Sequence, residues 1–97
     1  MNRGEILTRL QKALPGLRER YGIARLRLFG SVARDEAEPG SDVDLLVEFQ
    51  GPASLDGFMG LKADLEALIG APVDLATPRS LRPALRALVE KDLLDVA

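Results

Sequence analysis

The chain has 97 residues, 46% hydrophobic and 29% charged, which is the size and balance of one soluble globular unit, expected to span 1–97 around a single core. A formal charge of −2 and a pI near 5.1 argue against a general nucleic-acid binder, because such proteins draw affinity from an excess of Lys and Arg over the phosphates. The sequence has no histidine and no cysteine, which excludes a Ser-His-Asp triad, a conventional zinc site, thiolate chemistry and disulfides, and leaves carboxylates as the available acids, bases and metal ligands.

Ile6, Leu7, Leu10, Leu14, Leu17 and Tyr21 recur at three- and four-residue steps and predict helix over the first twenty or so residues. Proline is tolerated in a first helical turn and not inside a helix, so the pattern is expected to split into a helix ending near Leu14 and a second from Pro15 to Tyr21, closed by Gly22. This start is amphipathic rather than the apolar core of a secretion signal, and no apolar run approaches the roughly 18 residues of a membrane helix, so a cytoplasmic location is expected. Arg25 to Phe29 alternates as a half-buried strand, with Leu26 and Leu28 on one side. Gly30-Ser31 stops it, and a short helix is expected over Val32 to Ala37 before the turn at Pro39-Gly40.

The next strand covers Val43 to Phe49. Val43, Leu45, Val47 and Phe49 point to the core, while Asp42, Asp44, Leu46 and Glu48 point the other way. Ser54 is the expected cap of a helix running to about Ile69, with Leu55, Phe58, Met59, Leu65, Leu68 and Ile69 as its apolar stripe and Gly70 as its stop. Ala71 to Ala76 predicts a third strand in which Val73 and Leu75 face inward and Asp74 outward. A last helix is expected from near Leu81, capped by Ser80, with Pro83 in its first turn and Leu85, Leu88 and Val89 along it. No element is assigned to the tail Leu93–Ala97.

The chemistry concentrates in two short segments. Asp42 and Asp44 leave one face of a strand with Cα atoms about 6.6 Å apart, and two carboxylates with no base beside them in sequence are commonly held together by an oxygen-bound divalent cation. Taken alone the pair equally fits solvent-facing aspartates at a strand start. Gly30-Ser31 lies where a strand meets a helix, a place where backbone N–H groups attract phosphate, though alone it equally fits a plain turn.

Together, Gly30-Ser31-Val32-Ala33-Arg34 and Ser41-Asp42-Val43-Asp44-Leu45-Leu46-Val47 closely resemble the Gly-Ser…Asp-x-Asp signature of the DNA polymerase β-like nucleotidyltransferases, most closely the minimal nucleotidyltransferase branch. The resemblance covers about Arg25 to Arg82. It implies an α/β (α+β) fold, a small mixed sheet with helices packed on one face. It also implies that Gly30 and Ser31 hold a triphosphate, that Asp42 and Asp44 bind two magnesium ions, and that Asp74 is the third carboxylate, binding the catalytic metal and helping to deprotonate the attacking hydroxyl.

Arg34 stands either to reach a phosphate or to be a solvated helix arginine, and Arg79 and Arg82 are weaker candidates. Asp35 departs from the branch, which usually has glycine there. It is read either as favouring the early helical turn or as adding repulsion against a triphosphate, with Glu36 and Glu38 completing an acidic, solvated loop. Members of the branch are commonly paired with a separately encoded HEPN-domain toxin, and some modify its tyrosine with AMP. The implied activity is thus AMP transfer from ATP to such a partner within a homo- or hetero-oligomer; the alternative is a non-catalytic module that neutralises its partner by docking.

Overall fold

The computed structural model describes residues 2–96; Met1 and Ala97, the ends of the expected 1–97 unit, lie outside them. Asn2 caps the first helix, its side-chain oxygen accepting the Glu5 N–H at 2.9 Å, and α1 (Arg3–Tyr21) ends where Gly22 takes a left-handed φ of 68°. The expected break at Pro15 is absent, and α1 runs through it. Leu14 and Leu17 flank the exposed proline and are buried with Ile6 and Leu10, so packing of one continuous stripe outweighs a missing N–H and the crowding of the ring against the preceding turn.

β1 (Ile23–Phe29) starts two residues before the expected strand because its register shifts between Ile23 and Arg25. That irregularity buries Ile23 together with Leu26 and hides the period-two pattern at this end. β2 (Val43–Phe49) pairs antiparallel with β1, and β3 (Val73–Ala76) joins β2 in parallel after crossing over through α3 (Leu55–Ile69). A two-residue β4 (Leu94–Asp95), in the tail to which no element was assigned, pairs antiparallel with β1, so the sheet order is β3-β2-β1-β4.

Leu26, Leu28, Val43, Leu45, Val47, Val73 and Leu75 point to one face of this mixed sheet and meet the apolar stripes of α1 and α3. Ser54 caps α3 by accepting the Gly57 N–H at 3.0 Å, and Gly70 closes it, both as expected. Of the expected α3 stripe, Leu65 and Ile69 are buried, joined by Leu61, which that stripe did not include, whereas Leu55 (75% exposed) and Met59 (50%) project into solvent.

The last helix, α4 (Pro83–Glu90), starts later than expected, with Pro83 at its first position. Ser80 does not cap it. Instead its hydroxyl oxygen accepts the Thr77 N–H at 2.9 Å and closes a turn after β3. Leu85 and Leu88 are exposed, at 49% and 60%, and only Val89 of α4 is buried; it lines a crevice with Leu93, Leu46 and Arg27, on the face of the sheet opposite α1 and α3. No helix among the described residues is long and apolar enough to cross a membrane.

Candidate active site

β1 delivers the chain to Gly30, whose φ of 76° opens α2 (Gly30–Ala33), a helix of four residues rather than the longer one expected over Val32 to Ala37. The stop is a Schellman closure. Asp35 donates its N–H to the Val32 carbonyl at 3.0 Å, and Glu36 donates to the Ser31 carbonyl at 2.8 Å. To make both bonds Asp35 adopts φ 61°, the left-handed conformation that glycine takes without steric cost. The departure from the family pattern at Asp35 thus ends the helical turn rather than favouring it. Arg3 clamps the same turn from α1, donating to the Ala33 carbonyl at 2.9 Å.

The acids stand on the strands beside this turn. Asp44 of β2 lies in register between Phe29 of β1 and Asp74 of β3, so the Asp44 and Asp74 side chains leave the same face on adjacent strands. The β3 end of that pairing is held by Glu66 of α3, which accepts the Val73 N–H at 3.0 Å, and by the Val43 N–H donated to the Pro72 carbonyl at 2.9 Å. Asp42 sits just ahead of β2, after a turn in which the Ser41 hydroxyl oxygen accepts the Glu38 N–H at 3.0 Å.

Gly30 and Asp44 are in direct apposition. A Cβ on Gly30 would overlap the Asp44 Oδ2 and come within 3.0 Å of its Cγ, so this position admits the carboxylate only because it carries no side chain. Burial is the largest influence on Asp44 and pushes its carboxyl up to about 6; the nearby charges of Asp74 and Asp42 push the same way, against a pull downward from Arg34. Three of the sequence-predicted site residues, Gly30, Asp42 and Asp74, therefore each bear on a fourth, Asp44, by close approach, by charge, and by strand pairing and charge respectively, with Ser31 half-buried on the adjoining turn.

Among the described residues, no three carboxylates close into a complete metal site by themselves. Asp44 is half-buried and Asp42 and Asp74 are exposed, so they form an open acidic face. The donor set suits a hard divalent cation: the donors are all oxygen, and their mutual repulsion adds to burial in holding the Asp44 carboxyl above its ordinary value.

Arg34 is neither free nor merely solvated. Its Nη1 donates to Asp92 Oδ2 at 2.7 Å and its Nε to Glu36 Oε2 at 3.1 Å. Asp92 is a neighbour of Arg34 that the sequence pattern did not single out, because its place is set by the pairing of the tail that follows it, to which no element was assigned. Arg79 and Arg82 are both exposed, on the segment between β3 and α4, and join no ion pair among the described residues.

A glycine turn against a pair of strand aspartates, on a four-stranded mixed sheet, is the arrangement of a minimal nucleotidyltransferase fold. A solved structure assigned to the minimal nucleotidyltransferases overlays this chain with a TM-score of 0.82 at 40% identity, over 97% of this chain and 95% of that one. The chain belongs to the nucleotidyltransferase domain family, whose profile matches residues 10–96. It is 42% identical to the protein adenylyltransferase MntA of Thermococcus cleftensis over 82% of this chain and 81% of that protein. A chain from a solved complex of a tri-AMPylated Shewanella oneidensis HEPN toxin with its MNT antitoxin shares the fold, with a TM-score of 0.67 at 19% identity over 94% of this chain and 71% of that one.

Proposed function

We propose that this nucleotidyltransferase moves AMP from ATP to a side-chain hydroxyl of a HEPN-type partner protein, with Asp42, Asp44 and Asp74 as its acids and Gly30 and Ser31 at the phosphates. The observation that carries the reading is the apposition of Gly30 and Asp44, with Asp74 in register beside them. It places a backbone turn able to approach phosphate oxygens against carboxylates able to handle a metal and a proton. The 42% identity to a protein adenylyltransferase supports AMP as the group and protein as the acceptor, and the fold shared with a chain of the toxin–antitoxin complex supports a HEPN partner.

In this reading the acceptor oxygen attacks the α-phosphate, the new O–P bond forms, and the bond from that phosphorus to the pyrophosphate oxygen breaks. Asp74, exposed on the edge strand, takes the hydroxyl proton. Asp42 and Asp44 would hold divalent cations, magnesium by preference, which when bound supply charge neutralisation to the phosphates and the leaving pyrophosphate. Ser31 orients the terminal phosphates from the turn, and the open acidic face leaves the acceptor side accessible to a protein surface. No observation favours the docking-only reading.

The test is to incubate the chain and its co-purifying partner with magnesium and α-labelled ATP and to follow label into protein. Label is expected on the partner and is expected to fall by at least about a hundred-fold in Asp44→Asn. A folded Asp44→Asn protein that transfers as well as the parent would overturn the assignment.

A further inference from the structure

Arg34 is held from two sides, and the firmer hold comes from the far end of the chain. The β1–β4 ladder pairs Leu28 with Leu94 and Arg27 with Asp95, so running the antiparallel register back by two residues brings Asp92 opposite the point where β1 passes into Gly30. The turn is fixed by the Asp92 N–H, which bonds the Val89 carbonyl at 3.0 Å. The Asp92 side chain is 22% exposed and its bond to Arg34 is 2.7 Å, whereas Glu36 is 66% exposed and bonds at 3.1 Å. Among the described residues no acceptor takes the remaining Nη2 of Arg34. Arg34 closes the turn that Gly30 opens, its N–H bonding the Gly30 carbonyl at 3.1 Å, so its side chain rises from the same turn that abuts Asp44.

We propose that Asp92 is a positioning residue for the nucleotide: by pinning Nη1 it holds the Arg34 guanidinium beside the Gly30-Ser31 turn with Nη2 left to meet a phosphate oxygen. The inference rests on the ATP reading of the site. A long arginine at the end of a four-residue helix would otherwise sample many rotamers, and holding it in advance removes that ordering cost from nucleotide binding. The sign of the effect separates positioning from simple charge. Removing an anion close to the site would by Coulomb attraction alone tighten the binding of a triphosphate, whereas positioning requires that binding weaken.

The experiment is calorimetric titration of the full chain with ATP in magnesium, run beside the label-transfer assay. Asp92→Asn is expected to raise the Kd for ATP about five-fold, with kcat changed by less than about two-fold. Asp92→Glu is expected to restore most of the affinity, and in an Arg34→Gln background Asp92→Asn should add nothing further. Asp92→Ser gives a second variant should Asp92→Asn not fold, with the same rise in Kd expected. A Kd that is unchanged or lower in the Asp92 variants, or a loss that persists without Arg34, overturns the inference. A parent chain that binds no ATP sinks the functional reading itself, while a parent that binds and transfers beside an indifferent Asp92→Asn sinks only this one.

Discussion

At the scale of single residues, the site holds one carboxylate at a cost to the fold. The Asp44 carboxyl is pushed up to about 6, first by burial and then by Asp74 and Asp42. A raised carboxyl binds its proton more tightly in the folded chain than in the unfolded one, so between pH 4 and 6, roughly, the folded state carries the extra proton and stability falls as pH rises. Above that window the penalty is fully present; below it, it vanishes. Asp44→Asn removes the titration, and in metal-free protein it is expected to be more stable than the parent at pH 7 by about 1 kcal/mol after allowance for solvent screening, with no advantage at pH 4. Urea unfolding of both proteins at the two pH values checks this. Equal stability at pH 7 would mean that the site carries no electrostatic strain. The same variant is expected to lose transfer, which would be the usual exchange between stability and a functional acid. Asp35 is a second residue held against its preference, at φ 61°, and its cost too falls on the turn that Gly30 opens.

At the scale of elements, α1 shows where periodicity and propensity conflict. The leucine stripe predicts one helix and Pro15 predicts two; the stripe prevails because Leu14 and Leu17 are both buried against the core. The proline still removes one helical hydrogen bond, and its side chain is exposed, so Pro15→Ala is expected to raise stability by about 1–3 kcal/mol in thermal or urea unfolding. A destabilised variant would show that the helix depends on a kink at this point. β2 and the Gly70 stop of α3 were legible because each rests on local pattern or local cap chemistry, and the placing of Asp44 and Asp74 on one face follows from strand alternation once β3 pairs with β2. Other features were not. Ile23 joins β1 through a register irregularity, Leu85 and Leu88 look like core in a helix that buries only Val89, and Asp92 reaches Arg34 through a strand of two residues. Each of these depends on pairing between distant segments, which no window of sequence contains.

At the scale of the whole molecule, charge decides how a nucleotide can bind. The chain is net negative, the Gly30-Ser31 turn lies against Asp44, whose strand neighbour is Asp74, and Arg34 at the end of that turn is already paired with Glu36 and Asp92. A triphosphate approaching that face meets repulsion from carboxylates that the backbone donors of Gly30-Ser31 and the remaining Nη2 of Arg34 offset only in part unless a cation intervenes. Removal of divalent cation with EDTA is therefore expected to weaken ATP binding at least about ten-fold in calorimetry. Asp44→Asn supplies the sharper contrast. With magnesium it should bind ATP more weakly than the parent, because a cation ligand is gone, and in EDTA it should bind no worse, because a repelling charge is gone. A carboxylate that acts through a cation must show this change of sign. If EDTA leaves the parent's affinity unchanged, the turn holds the phosphates by itself and the acids serve only the proton and the acceptor.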